Sequence, residues 1–252
     1  MPMPAWTRVS AGTYHDFHNS WITHLKEALN AGRLPPEYYA LGEQRADDIS
    51  PDLLTLHAEE EEGGDEIGGG TGGTAGLVAV AESPPAVRIH LEAEADLAFY
   101  LARQRSLVIR HSTGDRIVAI LEIVSPANKH TRKSLEDFVD KVCAELKEGI
   151  HVAVIDPLPP SRHDPLGIHG AIWEQLMAGP YSPSDGLPLT LVSYCAKHRI
   201  TADVEPIHVG STLIDLPIFL TRTHYVPLPL EMTYMQAWTG VPRRWKRVIE
   251  GA

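Results

Sequence analysis

The stretch SLVIRHSTGDRIVAILEIVSPANK, Ser106 to Lys129, decides how the rest of the chain is read. SLVIR (106–110) and RIVAILEIV (116–124) are rich in β-branched and aliphatic residues, and HSTGD between them is a turn-forming cluster. The pattern predicts a β-hairpin. Its second strand carries one carboxylate, Glu122, inside an apolar run that stops at Ser125-Pro126. A carboxylate among apolar neighbours needs a partner or a task.

Downstream, SLEDFVDKVCAELKEG (134–149) places Leu135, Phe138, Val142, Ala144 and Leu146 on one side of a helix that Gly149 ends. Ser134 with Asp137 resembles a capping box at its start. HVAVIDPL (151–158) then reads as a short buried strand. A hairpin, a helix and a strand in that order predict a strand returning beside its predecessor through a helical crossover, as in α/β folds.

Upstream, YHDFHNSWITHLKEALNA (14–31) has Phe17, Trp21, Leu25, Ala28 and Leu29 at helical spacing, and Gly32 and Pro35-Pro36 end it. His15, His18 and His24 sit on this helix and read first as structural. Tyr38 to Gln44 and DLLTLH (52–57) read as strands. AEEEEGGDEIGGGTGGTAG (58–76) has four consecutive glutamates and eight glycines, and reads as a flexible, solvated loop. It fits neither a calcium-binding EF-hand loop nor a phosphate-binding P-loop. Residues 87–103 fit strand-then-helix or a mostly extended segment. Near the end, LTLVSYCAK (189–197) and DLPIFL (215–220) read as strands and YMQAWTGV (234–241) as a helix. PRRWKR (242–247) reads as a solvated basic end, with binding as the alternative.

Composition bounds the function. The chain has 252 residues, 43% of them hydrophobic, with no run approaching the ~18 apolar residues of a membrane span and no apolar signal core at MPMPAWTRVS. Cys143 and Cys195 lie far apart, without a CxxC pair, which suits a reducing cytoplasm. The net charge of −11 gives no general attraction for polyphosphate backbones, so contact with nucleic acid would require a local basic site. There is no GxSxG nucleophile elbow. Exposed strand edges leave homo-oligomer formation open.

The acids of neighbouring elements suggest a metal site. Asp52 follows Pro51 at a strand start, Glu122 lies in the hairpin, Glu43 precedes both, and Lys141 sits on the following helix. Carboxylates converging from adjacent strands can hold Mg²⁺, with the Ile123 carbonyl as a further oxygen ligand, and a lysine can orient water or stabilise charge on a phosphoryl oxygen. As structural alternatives, Glu122 pairs with Lys141 or Arg110, Asp52 is a turn residue, Asp156 ends its strand in a turn or a lysine pair, and Asn128 and Lys129 cap the next helix.

The order Pro51-Asp52, then Glu122 with Ser125-Pro126, then a helical lysine resembles the restriction-endonuclease-like PD-(D/E)xK superfamily. In that superfamily the aspartate and glutamate bind metal, and the lysine normally follows the glutamate by two residues. Here that position is Val124, and Lys141 would be a lysine migrated to the next helix, with Lys129 as the other candidate. Asp16-Phe17-His18, GEQRADDISPDL (42–53), SLVIRHSTGDRIVAILEIVSPANK, Phe138 with Lys141, HVAVID (151–156) and PIHVGSTLIDLPIFL (206–220) together resemble the bacterial domain of unknown function 4058 family, most specifically over 106–157. The resemblance implies an α/β (α+β) fold, a restriction-endonuclease-like mixed central sheet flanked by helices. The whole of 1–252 would form a single domain, with a core over 14–158 and a β-rich C-terminal extension over 159–252. It implies a cytoplasmic metal-dependent nuclease-like hydrolase, or a catalytically degenerate relative that binds a partner.

Overall fold

The computed structural model describes residues 5–43, 105–176, 181–196 and 198–251, together with Met3 and Gly179. Asp52, the strand expected over 52–57, the glycine-rich stretch 58–76 and residues 87–103 lie outside the described residues.

Six strands form one mixed sheet in sequential order: β1 (Tyr38–Glu43), β2 (Ser106–His111), β3 (Arg116–Ile123), β4 (His151–Asp156), β5 (Leu189–Cys195) and β6 (Thr201–Ile207). Neighbours are antiparallel except β3 and β4, which run parallel. The parallel pair requires a crossover. The helix α2 (Arg132–Lys147) supplies it, as the hairpin–helix–strand order predicts. β3 to β5 are apolar along most of their length because both sheet faces are covered. Residues assigned to the C-terminal extension supply β5 and β6 to this same sheet, and a two-stranded ribbon, β7 (Leu216–Phe219) with β8 (Tyr225–Leu228).

The hairpin turn closes with Gly114 at φ +73° and Asp115 at φ +55°. Glycine takes this left-handed region freely and aspartate tolerates it. A bulge between Ile109 and Arg110 absorbs the odd residue, so Leu107 faces Leu121 across the hairpin.

Side-chain alternation sorts the layers. Glu43, Ser106, Glu122, Val154, Asp156 and Tyr194 share one face by register. This face carries α2 and α3 (Gly167–Gln175), through Lys141 to Glu122 and His169 Nδ1 to the Tyr194 hydroxyl at 2.6 Å. Gly42, Leu107, Leu121 and His151 point the other way. A methyl group at Gly42 would touch Ile22 of α1 (Ala11–Ala28), and the His151 ring contacts Phe219 of β7.

α1 begins at Ser10, whose hydroxyl accepts from the Thr13 amide, and buries Tyr14, Phe17, His18, Trp21, Ile22 and Leu25 at helical spacing. It packs on α4 (Leu230–Gly240) through rings: Phe17 and Trp21 lie 5.0 and 5.1 Å from Tyr234, and Trp6 lies 4.2 Å from Phe17. The indole N–H of Trp21 donates to Thr233 at 3.1 Å, satisfying a polar atom inside this nucleus.

Two local expectations shift. α2 is capped by Thr131, in a reciprocal pair with Ser134, rather than by Ser134 with Asp137. Its inward stripe uses Val139 and Cys143, while Ala144 is exposed, because the stripe drifts around the helix over four turns. The basic tail is a helix, α5 (Arg243–Glu250). No described helix is long and apolar enough to cross a membrane.

Candidate functional site

Glu122 lies near the end of β3 and is nearly enclosed, with 6% of its surface exposed. Two groups meet its Oε1. The Ser106 hydroxyl donates to it from β2 at 2.6 Å, and the Lys141 ammonium stands 3.3 Å away on α2. The hairpin register makes the first contact, since Ser106 falls beside Glu122 once Leu107 faces Leu121. Helix spacing makes the second: Lys141 lies three residues past the buried Phe138, at the margin of the inward stripe. The pairing expected between Glu122 and Lys141 or Arg110 is therefore with Lys141.

Arg110 instead forks onto Glu43. Its Nε and Nη2 donate to the two Glu43 carboxylate oxygens at 2.8 and 3.1 Å. Its Nη1 donates to the Asp115 carbonyl at 2.7 Å, tying the hairpin turn to the edge strand. Donating these hydrogen bonds to the Glu43 carboxylate raises the guanidinium pKa further. Glu43 registers opposite Ser106 on the same face as Glu122, with its carboxylate engaged by Arg110. The Ile123 carbonyl, considered as a ligand, accepts from His18 Nε2 at 3.1 Å. Burial lowers the His18 pKa to about 4, so the ring is neutral and donates one N–H. His15 bonds Asn19 and His24 faces Glu27, so the three histidines of α1 serve separate contacts. Among the described residues no cluster of three or more His, Cys, Asp or Glu side chains could hold a metal ion.

Lys129, the other lysine candidate, sits in a different constellation. Its ammonium lies 2.7 Å from Asp156 and 2.9 Å from Asp164, and donates to the Leu158 and Pro159 carbonyls at 3.1 and 3.3 Å. All three charged side chains are buried. Ser161 donates to Asp164, and the Ile168 amide at the start of α3 donates to Asp156 at 3.4 Å. Burial pushes the Asp156 carboxyl up to about 6, with Asp164 adding to the rise and Lys129 opposing it. Sequence reasoning missed Asp164, which lies in a proline-rich loop without periodicity. It also missed Glu145, buried on α2 one turn past Lys141; the i, i+4 spacing was the available signal. Asn128 and Lys129 do not cap α2 as expected, since Thr131 does; Asn128 instead accepts from the Ser125 amide at 2.9 Å and closes the turn after β3.

Comparison with protein-family models, with curated proteins and with solved structures gave no match.

Proposed function

We propose that the chain is a divergent member of the restriction-endonuclease-like superfamily, related to the domain of unknown function 4058 family, with a Mg²⁺-dependent phosphodiesterase site around Glu122. The supporting observation is that Glu122 and Lys141, chosen as acid and migrated lysine, meet 3.3 Å apart on one face of a mixed sheet. Hard oxygen donors such as the Glu122 carboxylate suit Mg²⁺; Asp52 would join it, and Glu43 would do so only on giving up an oxygen now held by Arg110. Bound there, the ion would polarise a phosphoryl oxygen and acidify water. The chain's own groups then divide the work. Ser106 holds the Glu122 carboxylate in one rotamer, and Lys141 places positive charge where charge develops on the phosphoryl group.

The test is hydrolysis of single- and double-stranded DNA and RNA with Mg²⁺ or Mn²⁺. Glu122→Ala and Lys141→Met should each abolish cleavage while leaving the protein folded. The same ions should raise the melting temperature of the wild type and not of Glu122→Ala. An equal rise in both would remove Glu122 as a ligand.

One observation favours a second reading, a degenerate nuclease fold retained for binding. Val124, at the usual lysine position, is fully enclosed, its exposure being 0%. A lysine there would need a buried partner of its own. Wild-type protein inert on all four substrates, with unchanged melting in metal, selects this reading.

A further inference from the structure

The last helix is unlike the rest of an acidic protein. Four of the eight residues of α5 are cations, Arg243, Arg244, Lys246 and Arg247, against one carboxylate, Glu250. The three arginines are exposed and Lys246 is half-buried. Arg8, also exposed, reaches over from the first turn and donates to the Ile249 carbonyl at 3.2 Å, adding a fifth cation.

These charges are handled differently from those of α2. There the exposed Arg132 and Lys133 are each neutralised four residues on, by Glu136 and Asp137. On α5 the residue four after Arg243 is Arg247, a like-charge spacing that weakens a helix. Lys246, four before Glu250, turns instead to the Thr239 carbonyl at 3.2 Å and the Trp238 ring at 5.6 Å. Among the described residues none of the five cations is ion-paired to a carboxylate.

The apolar side of α5 is already used. Ile249 is buried and Trp245 packs against the core, leaving Val248 as its exposed aliphatic side chain. A helix that lies in a membrane interface needs a free apolar face, and α5 has spent its own inside the protein. What remains outward is cationic, next to the indole of Trp245, over which the Arg244 guanidinium sits at 5.0 Å. Arginine groups backed by an aromatic ring fit phosphate oxygens and stacked bases.

We propose that α5 and Arg8 form a docking surface for the phosphate backbone of a nucleic acid strand. It is the local basic site that a chain of charge −11 would need for such a partner. The surface belongs to the layer of α1 and α4, on the sheet face away from Glu122, and does not depend on hydrolysis there.

The experiment is fluorescence anisotropy of short labelled oligonucleotides, single-stranded and duplex, titrated with the whole chain in EDTA over a salt series. The wild type should bind at low salt and weaken as salt rises. The combined Arg243→Gln, Arg244→Gln and Arg247→Gln variant should lose about tenfold or more, with a log–log salt slope shallower by about 2–3. Arg8→Gln should lose a smaller factor, and stands as the second variant should the triple one not fold. The combined Arg132→Gln and Lys133→Gln variant, which removes exposed cations of α2 that are paired with Glu136 and Asp137, should bind as wild type and separates this surface from cation loss in general. The proposal is overturned by wild type that ignores both oligonucleotides at low salt, or by variants that bind unchanged. Equally tight, equally Arg-dependent binding to anionic vesicles or to polyglutamate would also overturn it.

Discussion

Lys129 and Lys141 both reach carboxylates at the ends of strands in the parallel pair, but their surroundings differ. Lys129 is enclosed: its side chain is 6% exposed and its two carboxylate partners 2% and 0%, at 2.7 and 2.9 Å, with backbone carbonyls completing the shell. Lys141 is 17% exposed and stands at a looser 3.3 Å from Glu122. An enclosed charge network fixes one arrangement, because any departure strands a charge away from water. A looser pair near solvent can exchange a partner for a ligand at modest cost. The first contact ties β4, the loop after it and α3 together; the second joins α2 to β3 and leaves the lysine partly open to solvent.

That contrast can be broken by mutation. Lys129→Met should cost about 3–5 kcal/mol in denaturant unfolding, since two buried carboxylates lose their cation. A loss below ~1 kcal/mol would show the network to be wet or neutral. Asp156→Asn sharpens the same point through pH. The folded Asp156 carboxyl titrates near about 6 against 3.8 unfolded, so the native state holds its proton more tightly and wild type gains stability from this group as pH falls through that window. His18 and His169, both held neutral with values near about 4, act oppositely: their contribution is present above 6.5 and is lost as pH falls toward 4. Removing the Asp156 offset should make the acid side of the stability curve steeper, by on the order of 2 kcal/mol between pH 6 and 4. Parallel curves for variant and wild type would refute the assignment. Lys141→Met should cost less than Lys129→Met, about 1–2 kcal/mol. Glu43→Ala, breaking the half-exposed fork to Arg110, should cost least, about 0.5–1 kcal/mol, and chiefly loosen hydrogen exchange at the hairpin turn. If the Lys141 and Lys129 variants lose equally, the distinction between a lock and an open pair fails.

Much of the architecture was legible because it is locally encoded. The 106–124 hairpin, α1, α2, β4 and β5 all announce themselves by period and by turn or breaker residues. β6, with Asp203, Glu205 and Pro206, hides because an edge strand half-open to water lacks an apolar run. α3 hides because Gly167 and Gly170 weaken its helical signal. Gly170 is packed so closely that a side chain there would meet Leu166, one turn back at the start of the same helix, so the weak helical signal answers a local steric need. Of the proposed site, Glu122 stood out as a charge in an apolar strand, and Lys141 followed from the helix after it. Arg110 could not be assigned between Glu122 and Glu43 from spacing, because the bulge and the register of β1 decide which acid it reaches.

The sequence by itself determined a hairpin, a crossover helix and a parallel strand, an acid buried in the second hairpin strand, and a basic segment at the end of an acidic chain. Those follow from periodicity and composition, which act over a few residues. Only the tertiary structure decided which charges meet: Lys141 with Glu122, Arg110 with Glu43, Lys129 with Asp156 and Asp164. Charge pairing depends on register across strands and on where a helix crosses the sheet, and burial lets only well-partnered arrangements persist.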